Sequence, residues 1–454
     1  MSPPGGKHRI LVCVIVVVLL SLSAQLQRFL QSYKDESAAA TAQSSADIKP
    51  SSAPKEFVGD FQVYYTASVV VRHSADRRLY YPQPGGQILM DNVPPDTAWG
   101  QAAKGAGFKS TMVFIYPPFA ALLLQPLSVL KWQFALLAWR VGLVAVVLYS
   151  IYLCLCLTGR EYFWLKFGFA TVAALSFFPL TETLVEGQID PVILLFWIAG
   201  IYLFESGRSF WSAFLFALGT VVKVSPAIVV ALFLLRRRWS WLLSYVSSLI
   251  ALVLLSIWRL GWSNHVMFMK EVLPKLSCGV ALLANRSLPG LIYDIYLRRV
   301  PLAMVALVPA WLCTLVKIGG LVLLVASLCF LWRGNKTKRI PTREFMAFAL
   351  LSLLISPVSW RHHYLLALLP VIYVWNSENI RRFDLAVLTV ATLSIGSVLP
   401  DYVITAVQQP AIQLLLVSLT PLSTLLLLFV ICSHHFTSED GEAELSAASS
   451  SRSV

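Results

Sequence analysis

SFWSAFLFALGTVVKVSPAIVVALFLLRRRW, residues 209–239, decides how the chain is laid out. As one continuous helix it places Lys223 in mid-bilayer, where a charged side chain costs about 3 kcal/mol or more. Pro226 also disfavours helical backbone at Ser225. Two short apolar helices meeting at Lys223–Pro226 avoid both penalties. Lys223 then reaches water on one side, and Arg236, Arg237 and Arg238 stay on the other, where the excess of basic residues in cytoplasmic loops puts them.

The rest of the chain fits a membrane setting. Of its 454 residues 57% are hydrophobic and 13% charged, with a mean hydropathy of +0.71. Soluble domains carry about twice that share of charge. Apolar runs long enough for helices recur, whereas a β-barrel shows short alternating segments. The net charge of +13 does not indicate nucleic acid. Much of the excess sits in short clusters beside apolar runs, such as Gly6–Arg9, Arg236–Trp239, Trp332–Arg339 and Asn379–Arg382. Such clusters suit anionic lipid headgroups. Of the seven cysteines, six fall in predicted helices and Cys278 in a loop. No zinc or redox spacing results, and no structural disulfide is expected.

The expected class is all-α, a polytopic integral membrane protein of about 12 transmembrane helices. Apolar helices are predicted near 9–28, 133–157, 166–184, 190–205, 209–222, 225–237, 239–258, 301–332, 344–357, 363–376, 383–399 and 410–433. FIYPPFAALLLQPLSVLK (114–131) is read as interfacial or re-entrant, because Pro117, Pro118 and Pro126 interrupt it. Five units follow: an N-terminal transmembrane helix (1–32), a flexible linker (33–56), a first extracytoplasmic loop with interfacial helices (57–132), a multi-helix transmembrane domain (133–433) and a disordered cytoplasmic tail (434–454). This topology keeps the basic loops inside and sends five polar motifs outside: GDF, EGQID, KVSP, ANRSLPG and SWRHH.

Each motif has a plain and a chemical reading. Asp60, in EFVGDFQVYY, suits the N-cap of a helix starting at Phe61. A carboxylate among aromatic side chains also suits removal of a proton from a hydroxyl. No second acid adjoins it, so no metal pair is indicated. Tyr64, Tyr65 and Tyr116 offer aromatic walls for sugar rings or isoprenoid chains. Glu186, Gln188 and Asp190 make either a solvated loop or a polyol-binding one. Lys223, flanked by valines, either snorkels or holds an anionic headgroup. Trp360, Arg361, His362 and His363 form an interfacial anchor or a phosphate contact. Two adjacent histidines do not share a helix face, which argues against a two-His metal site. Asn285 begins a weak glycosylation sequon, and serves equally as a loop residue or a substrate donor. No nucleotide-binding loop and no Ser-His-Asp order is present.

Taken in order, GDF-x-VYY, LYYP, YPPFAALLLQPLSVL, EGQID, KVSP before RRRW, NRSLPG and SPVSWRHH resemble glycosyltransferase family 87, of the glycosyltransferase C superfamily. The resemblance runs from about Phe57 to Pro370. It implies a fold with a large first extracytoplasmic loop, and a donor that is a polyprenyl-phosphate sugar, commonly mannose. The acceptor it implies is a glycan or glycolipid hydroxyl on the extracytoplasmic face of the cell membrane, glycosylated with inversion in a single displacement and without a nucleotide sugar; no cofactor is expected and no metal ligand is assigned. Asp60 takes the position of the general base. Lys223 and Arg361, with His362 or His363, take those of donor-phosphate contacts. From the residues themselves, Tyr64, Tyr65, Tyr116, Glu186, Gln188, Asp190, Asn285 and Trp360 are expected as substrate contacts. A transporter or flippase of lipid-linked sugars, or a non-catalytic partner of an envelope-synthesis complex, are the competing readings. A transporter predicts paired broken helices and internal repeats.

Overall fold

A computed structural model describes residues 10–25, 59–81, 93–108, 112–159, 161–282, 284–297, 308–334, 339–377, 380–397, 407 and 409–433. The expected linker and C-terminal tail lie outside these. The described residues are mostly helical, with no β-strand among them. In chain order the first helices are α1 (Ile10–Gln25), α2 (Phe61–His73), α3 (Ala98–Gly105), α4 (Pro118–Leu124), α5 (Trp132–Cys156), α6 (Phe163–Leu175) and α7 (Phe178–Glu186). Then come α8 (Asp190–Glu205), α9 (Ser209–Val222), α10 (Val229–Leu235), α11 (Trp239–Leu260), α12 (Trp262–Met267) and α13 (Leu273–Cys278). The remainder are α14 (Leu288–Leu297), α15 (Ala310–Gly334), α16 (Thr342–Ile355), α17 (Leu368–Trp375), α18 (Arg382–Gly396) and α19 (Pro410–Ser433).

The core is built on α16 and α17, whose side chains are buried nearly all round. Helices α5, α8, α9 and α11 pack in succession, and α19 lies against both α16 and α18. The buried Arg236–Glu344 ion pair ties the end of α10 to α16. By contrast, α11 exposes Leu243, Val246, Ile250, Leu254 and Trp258. Their spacing of three or four residues makes one outward apolar stripe. A stripe of that kind on an otherwise packed helix matches a hydrocarbon surround.

The break at residue 223 is present. Helix α9 ends at Val222, and Lys223 is extended with φ −149° and ψ 122°. Ser225–Ile228 form a 3₁₀ turn before α10. The proline-interrupted stretch likewise gives only the seven residues of α4 and a five-residue 3₁₀ turn. Among the described residues, four helices (α5, α11, α15 and α19) are long and apolar enough to cross a bilayer. A fifth span results if α6 and α7, bent by 60°, are taken together. The expected twelve crossings exceed this number because several segments fold as helices too short to span alone. The α6–α7 bend falls at Phe177, which is extended ahead of Pro179. The segment 262–278, unassigned from sequence, is helical through α12, a π turn and α13.

One expectation is overturned. Cys278 and Cys313 are joined in a disulfide, with Cα atoms 5.1 Å apart. The sequence reading started the helix at residue 301, which buried Cys313 in its middle. Helix α15 starts at Ala310, so Cys313 falls in its first turn, within reach of the end of α13.

Candidate active site

All five polar motifs line one cavity of about 870 Å³, most of whose walls are apolar. Asp60, Glu186, Gln188 and Tyr116 belong to it, as do Lys223, Trp360, Arg361, His362 and His363. Phe268, Leu273, Leu276, Ile228 and Ile355 supply hydrocarbon surface.

Asp60 is placed by two facing glycines. Gly59 has φ +57°, and a Cβ there would fall 2.6 Å from the Glu186 Cα. Gly187 has φ +69°, and a Cβ there would fall 2.7 Å from the Phe61 Cβ. The start of α2 can therefore sit directly on the α7–α8 turn. Helix α5 fixes that turn from behind. Trp139 donates to the Gly187 carbonyl at 2.8 Å, and Arg140 to the carbonyls of Leu184 (2.7 Å) and Val185 (2.9 Å).

The cap expectation for Asp60 is corrected here. Its backbone is already helical and its carboxylate makes no capping bond. The Gln188 side-chain amide donates to one carboxylate oxygen instead. Gln188 is itself oriented: its amide oxygen lies 2.8 Å from the Tyr64 hydroxyl and 3.1 Å from that of Tyr116, and the two hydroxyls lie 2.7 Å apart, so two hydroxyl protons serve the three contacts. Two phenols therefore set which way the amide faces, and the amide sets the carboxylate. Burial pushes the Asp60 carboxyl up to about 6, while Gln188 and Lys223 draw it down and Asp190 draws it up. A carboxyl in that range is largely ionised at neutral pH yet still takes up a proton readily.

On another wall, Lys223 pairs with Asp190 at 2.7 Å, both largely buried. An ammonium has three donors, so one acceptor leaves directions for an anion. His362 is buried, with Nδ1 3.7 Å from Glu182 and no hydrogen-bond partner on either ring nitrogen. His362 and His363 meet edge-on, centroids 4.5 Å apart. Ligand atoms of Asp190, His362 and His363 lie within 4.8 Å of one another, a spacing that a metal ion could span. The adjacent histidines thus bring ligand atoms together at the start of a 3₁₀ helix, residues 361–367, against the expectation from helix-face geometry. Two contacts disfavour a metal there. The Trp360 N–H donates to His363 Nδ1 at 3.2 Å, which puts the proton of the neutral ring on Nε2 and makes that atom a donor. Lys223 already occupies one Asp190 oxygen. Donors around an apolar-walled cavity suit an anion better.

Several residues singled out from sequence stand apart from the cavity lining. Tyr65 donates to the Leu130 carbonyl and packs on Phe108 in a separate cluster. Tyr64 and Asp190 lie behind Gln188 and Lys223. The Asn285 amide donates to Val280 and Pro357, and its oxygen accepts from Ser287 N–H, Ser287 Oγ and Ser359 N–H. With those bonds made, the amide stitches two loops together. Arg361 does belong to the lining, but its guanidinium turns to α18, donating to the carbonyls of Ser394, Ile395 and Ser397. Two charged lining residues, Glu182 and Arg286, were given no role from the sequence. The i, i+4 spacing of Glu182 and Glu186 was the available signal for the first.

The family model described as Glycosyltransferase family 87 matches residues 114–357, more than half of the chain. A polyprenol-phosphate-mannose-dependent alpha-(1-2)-phosphatidylinositol mannoside mannosyltransferase of Mycobacterium tuberculosis is 26% identical over 308 residues, covering 63% of this chain and 66% of the relative. A mannosyltransferase of Mycolicibacterium smegmatis named for the same donor and a phosphatidylinositol pentamannoside is 25% identical over 260 residues, covering 55% and 58%. A second M. smegmatis protein, bearing the first name, is 26% identical over 323 residues, covering 66% and 69%. The chain thus spans 58–69% of the length of these relatives.

Proposed function

The chain belongs to glycosyltransferase family 87, and on that footing we propose that it transfers mannose from a polyprenyl-phosphate donor to a hydroxyl of a phosphatidylinositol mannoside or related glycolipid. The observation that carries this reading is the cavity itself. A buried carboxylate held on one oxygen, and a set of cationic and imidazole donors, share one largely apolar chamber. The proposed roles follow from charge. The acceptor hydroxyl gives its proton to Asp60 as its oxygen bonds to the anomeric carbon. The bond from that carbon to the phosphate oxygen breaks on the opposite side, inverting the centre. Lys223, with His362 and His363 beside it, takes up the charge of the departing lipid phosphate in a site of low dielectric. Inversion to an alpha linkage, the linkage in the relatives' names, requires a beta-linked donor. The isoprenoid lies along Phe268, Leu273 and Leu276.

The Cys278–Cys313 disulfide supports an extracytoplasmic placement of the cavity. Disulfides persist in oxidising compartments, and Ser277, next to Cys278, lines the cavity. The test is transfer of labelled mannose from polyprenyl-phosphate mannose to extracted acceptor lipids by purified protein. Asp60→Asn abolishes transfer while folding and donor binding persist. Full activity in that variant refutes Asp60 as the base. A transporter of lipid-linked sugars would move label across a vesicle membrane and form no mannosylated lipid.

A further inference from the structure

Arg361 is the arginine that the SWRHH motif offers for phosphate, but its guanidinium is directed at three carbonyls near the end of α18. Those bonds satisfy acceptors that a helix C-terminus leaves open. The other buried guanidinium that lines the cavity is Arg286, 4% exposed. It stands in the loop between α13 and α14, and its backbone is held from both sides. Its N–H donates to the Ser359 carbonyl at 2.7 Å, and its carbonyl accepts the Tyr364 hydroxyl at 2.6 Å. The Asn285 amide next to it bridges Val280, Pro357, Ser287 and Ser359. This stitching fixes Arg286 against the segment that carries His362 and His363.

We propose that Arg286 is the guanidinium that binds the phosphate of the lipid-linked donor and stabilises it as it departs, with Arg361 closing α18. This rests on the reading of the cavity as a polyprenyl-phosphate site. Two features support it. The planar guanidinium matches phosphate through two parallel N–H bonds. Lys223, on the same cavity wall, is already matched by Asp190, so a donor phosphate brought against Lys223 alone would meet a charge half cancelled. Asn285 is then a positioning residue, acting through its neighbour.

Farnesyl phosphate serves as the binding probe. In the wild-type protein, phenylglyoxal labelling of Arg286, read by peptide mass spectrometry, falls when farnesyl phosphate is present and is unchanged by inorganic phosphate at the same concentration. Arg286→Gln weakens farnesyl phosphate binding by about 10- to 100-fold, the loss of a hydrogen bond between charged groups. It lowers kcat more than it raises KM for the acceptor, and Arg286→Lys recovers part of both. Labelling of Arg286 that farnesyl phosphate leaves unchanged, or that inorganic phosphate blocks equally, overturns the proposal without any variant having to fold. So does unaltered farnesyl phosphate binding in Arg286→Gln. Transfer at the wild-type rate in that variant removes Arg286 and leaves the transferase reading standing. A wild-type protein protected at Arg286 that forms no mannosylated lipid does the reverse.

Discussion

Replacing Gln188 by Met keeps the length of the side chain and removes the one amide that touches Asp60. A hydrogen bond to a charged acceptor contributes about 1.5–3 kcal/mol, and one pKa unit corresponds to about 1.4 kcal/mol. Loss of that bond therefore raises the Asp60 carboxyl by about one to two units, from its present value of about 6. The sign is fixed, because Gln188 favours the ionised form and only the ionised form accepts a proton. At pH 7 the ionised fraction drops by about 2- to 10-fold. The acid limb of kcat/KM moves from near pH 6 to near pH 7–8, and the rate recovers on the alkaline side. The assay is initial mannose transfer against pH between 5 and 9, with donor subsaturating. Tyr64→Phe and Tyr116→Phe, which loosen the grip on Gln188, shift the limb the same way by less. An acid limb that stays put in Gln188→Met, with the rate falling equally at all pH values, refutes the chain of control from phenols to amide to base.

Other outcomes follow from the same geometry. Lys223→Met or Asp190→Asn each strands a largely buried charge and costs about 3–5 kcal/mol of stability. The double substitution recovers most of it but not activity, as thermal unfolding and transfer assays in parallel would show. Gly59→Ala forces a Cβ against the Glu186 backbone at a left-handed φ. It suppresses transfer more than donor binding, and an active variant would mean Asp60 tolerates displacement. Cys278→Ser removes a cross-link closing 35 residues, worth up to about 4 kcal/mol by loop entropy. Thiol labelling of the native wild-type protein at Cys278 and Cys313 should appear only after reduction.

What could be read in the sequence follows a physical boundary. The break at Lys223–Pro226 was legible because a charge in hydrocarbon and a proline each carry a local penalty. Asp60, Lys223 and the histidines were legible for a related reason, since polar residues inside apolar runs need a cause. Helix α8 begins and ends where expected, bounded by Asp190–Pro191 and Gly207. Long-range pairing was not legible. Nothing local tells that Gln188 reaches Asp60, 128 residues away, or that Cys278 meets Cys313. Side-chain direction was not legible either. Arg286 and Arg361 both line the chamber, yet nothing in the sequence tells that the Arg361 guanidinium is engaged by the carbonyls of α18. Tyr64 and Tyr65 are neighbours on α2, and only the helical rotation between them decides that Tyr64 reaches Gln188 while Tyr65 meets Leu130.

Asn285–Arg286–Ser287 is a glycan-acceptor sequon, and in the folded protein its asparagine is wholly buried with its amide in use. A glycan cannot be accommodated there without undoing the stitch between the two loops. Produced in a secretory pathway that glycosylates asparagine, the chain would acquire sugar at this site only before those loops close. A mass increment at Asn285 would thus mark molecules that missed their fold, a built-in readout of production quality needing no antibody and no activity assay.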